Sequence, residues 1–68
     1  MNEHIGYQQA LNNLVILRRT LSRDGIDSAT LLIICSAIIT HIGMCFDIDE
    51  KTIQQNAKLY DPHFPDEV

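Results

Sequence analysis

Residues 28 to 46 form the longest uncharged run in the chain, nineteen positions without Asp, Glu, Lys or Arg. On a helix, with about 100° between successive residues, this run places its large apolar side chains on one broad arc. The opposite side carries small, hydroxyl-bearing and apolar residues where an exposed helix would normally carry charge. We therefore predict a central helix that is covered on both sides, by the chain's own helices on the arc and by a second copy on the back.

The back of this helix predicts a contact seam. Small residues let a neighbouring backbone come close, and three of them recur here every seven positions. We interpret the seam as the interface of a homodimer, and its predicted residues are Ala29, Ile33, Ser36, Thr40 and Gly43.

The run has two other interpretations. The first is a membrane span, because the apolar length approaches the roughly 20 residues that a bilayer requires. His41 within the run, Asp47 and Asp49 directly after it, and the amphipathic helix before it make a span less favoured. A buried strand is a further reading of a short apolar run. The length of the run and the lack of strand partners argue against it.

Chain length makes association more plausible. The chain has 68 residues, and a domain this small buries only about 60% of its unfolded surface, so it usually needs a disulfide, a metal or a partner. Cys35 and Cys45, if they share a helix, lie about 15 Å apart, beyond disulfide reach. Two cysteines without a signal peptide predict a reducing, cytoplasmic location. A net charge of −4 argues against a chain that mainly neutralises phosphates or coats a membrane with basic residues.

The rest of the chain predicts two more helices. Residues 1 to 23 show clear helical amphipathicity, and Gly25 supplies a left-handed stop. Asp27 is the predicted N-cap of the central helix, which a short connection places antiparallel to the first. A capping box of Asp47 and Glu50 predicts a third helix over residues 48 to 60. The predicted fold is all-α, a helical hairpin plus a short third helix in a single domain, residues 1–60, which associates as a homodimeric bundle, and residues 61–68 form an extended acidic tail with two prolines.

Three positions in the first helix break its pattern. Ile5 and Ile16 point to the polar side, whereas Arg18 points into the apolar stripe. The simplest interpretation is that the isoleucines are scattered surface residues and that Arg18 extends past the helix end to water. A second interpretation is a docking surface for another protein, to which the aromatic residues near the tail would add. The predicted partner-binding residues are Ile5, Ile16, Arg19, Arg23, Tyr60, His63 and Phe64.

No pattern of catalytic or metal-binding residues emerges, so no cofactor, no metal and no enzymatic activity are predicted. His41 and Cys45 are four residues apart, but two ligands do not close a zinc site. A calcium loop that began at Asp47 would need glycine at its sixth position and glutamate at its twelfth, where Thr52 and Lys58 stand. Nucleic-acid binding by a dimer through the third helix is an alternative, because this helix offers residue types that can read base edges: Thr52, Gln54, Gln55, Asn56 and Lys58. The acids at the N-terminus that would enter a groove argue against it.

Elimination leaves a function through protein contacts. A small acidic helical chain without a pocket or ligand cluster, yet with much uncharged helix surface, is expected to bind a second copy of itself and another protein. The predicted function is a non-enzymatic regulator of the inhibitor, anti-activator, antirepressor or adaptor type, such as bacteria and phages encode.

Overall fold

The computed structural model describes the backbone of residues 3–64 and the side chains of residues 6–64. Within this range the chain forms three α-helices: α1 at Glu3–Arg23, α2 at Ser28–Phe46 and α3 at Glu50–Tyr60. No strand occurs among these residues, so the all-α prediction is confirmed. Homodimeric association concerns a second copy and stays a prediction.

The α1–α2 turn follows from two local signals. Gly25 has a φ of 92°, a left-handed value that glycine adopts without a steric penalty. The amide of Ile26 then donates to the Leu21 carbonyl at 3.1 Å, which closes the end of α1. Asp27 caps α2 by accepting from the Thr30 amide at 3.1 Å and from its hydroxyl at 2.8 Å. The glycine stop and the Asp27 cap are both confirmed.

The α2–α3 connection uses a different aspartate from the one predicted. Asp47 has a φ of 56° and ends α2, with its amide donating to the Gly43 carbonyl. An N-cap residue needs extended backbone, which Asp49 has, and the Asp49 side chain accepts from the Thr52 amide at 3.4 Å. The predicted capping box of Asp47 and Glu50 is therefore wrong: Asp47 closes the preceding helix and Asp49 opens the next.

The core lies where the three helices meet. Each helix supplies apolar residues at helical spacing, and one further residue comes from beyond α3. Each pair of helices is in direct contact. The buried apolar residues are Leu11, Leu14, Val15, Leu31, Cys35, Ile39, Ile42, Ile53, Ala57 and Phe64.

The segment after α3 turns back onto this core. The amide of Phe64 donates to the Asp61 carbonyl at 2.9 Å, which closes a turn over residues 61–64. Phe64 is 5% exposed and Asp61 is 1% exposed. These first residues of the predicted tail thus pack with the helices as part of the same interior, while residues 65–68 lie outside the described range.

Candidate interaction surfaces

One side of α2 faces away from the bundle and carries no charge. Only four of its nineteen residues are buried. Ile33 is 69% exposed and Met44 is 79% exposed, and the exposed Ala37 and Thr40 lie between them on the same side. We call Ile33, Ala37, Thr40 and Met44 the outward ridge. Apolar side chains this exposed, on a helix without charge, are typical of a surface that another molecule covers.

The structure places most predicted seam residues on or beside this ridge. Ala29, Ser36 and Thr40 are exposed, and so is Ile33. The Thr40 hydroxyl already donates to Glu50 Oε1 at 2.6 Å, which ties α2 to the first turn of α3.

Gly43 differs from the other seam residues because it faces its own chain. A Cβ at position 43 would lie 2.8 Å from the Ile48 carbonyl oxygen and 3.4 Å from Ile53 Cδ1. The α2–α3 connection therefore needs glycine here for intrachain packing. This glycine alone is no sign of a second copy.

A second surface is a groove between α1 and α3 with a volume of about 320 Å³. Asn56 donates from Nδ2 to the Tyr7 hydroxyl at 2.8 Å, which joins the two helices beside it. Tyr7 in turn packs edge-to-face on Phe46, with ring centroids 5.7 Å apart. Leu59, which is 83% exposed, offers an apolar edge. The groove residues are Tyr7, Gln8, Leu11, Asn56, Leu59 and Tyr60.

The groove continues into a more polar hollow of about 380 Å³, which shares Gln8 and Tyr60 with it and adds Gln9 and Asn12. None of the residues around the two hollows is Asp, Glu, Lys, Arg or His. The combined surface is thus built of polar and apolar side chains, with an exposed apolar edge at Leu59. No local sequence pattern predicts this groove, because its walls come from residues about fifty positions apart.

The predicted partner-binding residues are spread over several environments. Ile16 is 51% exposed and Tyr60 is 44% exposed, and Arg23 and His63 are also exposed. Phe64 is not on the surface, since it is part of the core. Arg19 is exposed but donates a hydrogen bond to Asp61. The side chain of Ile5 lies outside the described range.

A buried ion pair accounts for the arginine that broke the α1 pattern. Arg18 donates through Nη2 to the carboxylate of Asp61, and Arg19 Nε donates to the same oxygen at 3.3 Å. The Arg18 guanidinium also lies over the Phe64 ring, 5.7 Å from its centroid. Burial would raise the pKa of Asp61, but hydrogen bonds from Arg18, the His63 amide and Arg19 outweigh it and hold that pKa below its usual value. Arg18 thus points inward to a partner and does not extend to water.

The cysteines and His41 form no multidentate site in the described part of the chain. His41 Nε2 and Cys45 Sγ are 3.5 Å apart on the exposed side of α2. No group of three His, Cys, Asp or Glu side chains able to hold a metal occurs among the described residues. Burial raises the pKa of the Cys35 thiol, although Arg18 opposes the shift, so this thiol stays protonated at neutral pH.

The polar face of α3 is partly used inside the chain. Gln55 and Lys58 are exposed, whereas Asn56 is half-buried and bonded to Tyr7. The first turn carries Glu50 beside the capping Asp49. Negative charge therefore stands at the end that would approach nucleic-acid phosphates.

One helix in the described range, α2, is long and apolar enough to cross a membrane by length and composition alone. The same helix supplies Leu31, Cys35, Ile39 and Ile42 to the core of the bundle. No protein-family model, no curated protein and no solved structure matches this chain.

Proposed function

We propose that this chain is a small, non-enzymatic, cytoplasmic regulator that acts as a helical homodimer and binds another protein, as an inhibitor, anti-activator, antirepressor or adaptor. The observation that carries the proposal is the outward ridge of α2. Its end residues, Ile33 and Met44, are 69% and 79% exposed on a helix without charge. A second copy that covers the ridge removes this apolar surface from water.

The size of the ridge sets the expected strength of association. Burying one large apolar side chain contributes about 1.5–3 kcal/mol. Ile33 and Met44 from two copies therefore contribute about 6–12 kcal/mol, against an association cost of about 4–15 kcal/mol. At the favourable end of these ranges about −8 kcal/mol remains, which corresponds to a dissociation constant of about 1 μM. We therefore expect a dimer that dissociates at micromolar or higher concentrations.

The groove between α1 and α3 is the favoured site for the other protein. The groove is lined by residues of α1 and α3, whereas the outward ridge lies on α2. A partner in the groove and a second copy on the ridge would therefore contact different helices. Leu59 and Tyr60 give it an exposed apolar edge, and Gln8 and Asn56 give it amide groups. This arrangement suits a short neutral segment that inserts one apolar side chain.

Sedimentation velocity over a concentration series from 5 to 500 μM, roughly spanning the range in which dimers of this interface size dissociate, tests the dimer. We expect the wild type to shift from monomer to dimer and Ile33→Glu to stay monomeric, because dimerisation would bury two carboxylates. Leu59→Glu is the matched control, since it places the same charge at another highly exposed apolar position, off α2. A wild-type monomer throughout, or equal loss in both variants, would reject the ridge as the interface.

A membrane location is the alternative that the same helix favours, because α2 has the length and composition of a span. Fractionation of cells that express the chain separates the two. We expect the protein in the soluble fraction. Recovery in membranes after an alkaline wash would replace the dimer proposal with a single-span protein.

The partner site is tested in the native host with a photo-crosslinking residue at position 59. Position 20 on the exposed side of α1 is the control, because Thr20 lies outside the groove. We expect one dominant crosslinked species from position 59 that is lost when Tyr60→Ala is added. Equal crosslinking from both positions would reject the groove.

A further inference from the structure

The outward ridge has a symmetric order of side-chain sizes. Reading along α2, it runs from large Ile33 through small Ala37 and Thr40 to large Met44, in steps of four, three and four residues. This alternation is the spacing by which a helix keeps one seam facing a neighbouring helix. The two large residues stand about 16 Å apart along the axis, with room for close backbone approach between them.

A two-fold axis through the point between Ala37 and Thr40 maps the ridge onto itself in antiparallel orientation. Ile33 of one copy then meets Met44 of the other, and Ala37 meets Thr40. That point lies within two residues of the middle of Ser28–Phe46, so nearly the whole length of both helices overlaps. A self-complementary surface of this kind is what a two-fold dimer interface requires.

Side-chain size alone does not decide the direction, since a parallel pair would also align large with large and small with small. The distribution of charge at the two ends of α2 decides between the directions. The C-terminal end of α2 is followed by Asp47, Asp49 and Glu50, with Lys51 next along α3. A parallel pair would bring two of these acidic ends together, and like charges repel within about one Debye length of 8–10 Å.

An antiparallel pair instead sets each acidic end beside the N-terminus of the other α2. That end carries the positive pole of the helix and has Arg23 nearby at the end of α1, together with Asp24 and the capping Asp27. The N-terminal end of α2 is therefore less acidic than its C-terminal end. The two helix dipoles also run antiparallel in this arrangement, so they attract each other. Charge and dipole thus favour the antiparallel direction.

We propose that a second copy of this chain covers the outward ridge in antiparallel orientation, with Ile33 against Met44 of the second copy and Ala37 against Thr40 of the second copy. This inference rests on the homodimer proposed above and specifies its direction and register. It makes the assembly a closed pair of hairpins in which α2 and its symmetry mate form the central layer.

Disulfide crosslinking of variants that each carry one introduced cysteine tests the register. The background is Cys45→Ser, which removes the exposed thiol, while Cys35 stays because it is buried. Ile33→Cys and Met44→Cys are made separately, one of them with a mass tag, and Gln55→Cys on α3 is the control. A disulfide needs Cα atoms within about 7 Å. We expect a mixture of Ile33→Cys and Met44→Cys to yield at least tenfold more crosslinked dimer than either variant alone or the control.

Sedimentation of the reduced variants at the same concentration keeps the two proposals separate. Dimers that crosslink through Ile33→Cys alone as well as the mixture does would overturn the antiparallel register and leave the homodimer standing. Dimers in which the mixture crosslinks no better than Gln55→Cys would do the same and place the interface elsewhere. Monomers in the wild type and in the variants alike would overturn both.

Discussion

Arg18 on α1 and Asp61 after α3 form a buried ion pair across 43 positions of sequence, with side chains 11% and 2% exposed. The pair links the first helix to the segment that follows the last one. It also explains why an arginine stands within the apolar stripe of α1. Because a buried charge without a partner costs far more than an exposed one, this contact holds α1 and the segment after α3 together.

Asp61→Asn should destabilise the chain strongly, because it leaves the Arg18 guanidinium buried without a counter-charge. We expect a loss of about 3 kcal/mol in the free energy of unfolding, which for a domain of this size lowers Tm by more than about 10 °C. Urea denaturation monitored by circular dichroism measures this loss of stability. Asp24→Asn, at an exposed position, should change stability by less than about 0.5 kcal/mol.

A paired replacement distinguishes charge burial from packing at this site. Arg18→Met combined with Asp61→Leu should be more stable than Asp61→Asn alone, because apolar residues of similar size can replace a buried ion pair. Equal or greater loss in the double variant would show that hydrogen bonding in the turn outweighs the charge effect.

Stability should fall with acid in a way that depends on Asp61. Burial would raise its pKa, but the bonds from Arg18, the His63 amide and Arg19 hold the pKa below the unfolded value of about 3.9. The stabilisation is therefore fully present above about pH 4 and is lost as pH falls through the lower folded pKa. Urea midpoints between pH 2 and 6 should fall more steeply for the wild type than for Asp61→Asn. Parallel curves would contradict this assignment.

Two glycines in helices should respond in opposite directions to alanine. Gly43→Ala places a Cβ 2.8 Å from the Ile48 carbonyl oxygen, and such overpacking costs about 1–3 kcal/mol. At Gly6 the nearest atom, Phe46 Cε1, is 3.6 Å away, an ordinary contact. Gly6→Ala should therefore stabilise α1 by up to about 1 kcal/mol. Thermal denaturation of both variants tests the contrast, and a destabilised Gly6→Ala would contradict it.

The two aspartates between α2 and α3 should also behave as opposites. Asp49→Ala removes the N-cap of α3 and should cost about 1 kcal/mol. Asp47→Gly removes the steric penalty of a left-handed backbone, which is about 1–2 kcal/mol. Glycine also raises the entropy of the unfolded chain, which costs about 0.4–1 kcal/mol of stability. A net gain of about 0.5–1 kcal/mol is expected by urea denaturation. If Asp47→Gly destabilises the chain as much as Asp49→Ala does, the capping roles are reversed.

The features that sequence predicts well here are those set by local chemistry. Gly25 and Asp27 mark the α1–α2 turn because a left-handed glycine and a side-chain cap act within four residues of themselves. Asp47 and Asp49 show the limit of this approach. Both residues precede a plausible capping partner, and only the left-handed backbone of Asp47 assigns the cap to Asp49.

The interaction surfaces were harder to predict because distant residues build them. Gly43 resembled a seam residue, but its neighbours Ile48 and Ile53 come from the next turn and helix. Arg18 stood out as an exception in α1, yet nothing near it in sequence identified Asp61. The groove needs both α1 and α3, so no single stretch of sequence reveals it.

The burial of Phe64 and Asp61 has a consequence for the synthesis of this protein. Translation delivers α1 first, and Arg18 leaves the ribosome long before its counter-charge has been made. Since the core takes its last aromatic side chain from position 64, the bundle reaches its final packing only after this residue has emerged. A message truncated after codon 60 would still encode all three helices, but it would leave Arg18 without its counter-charge and the core without Phe64.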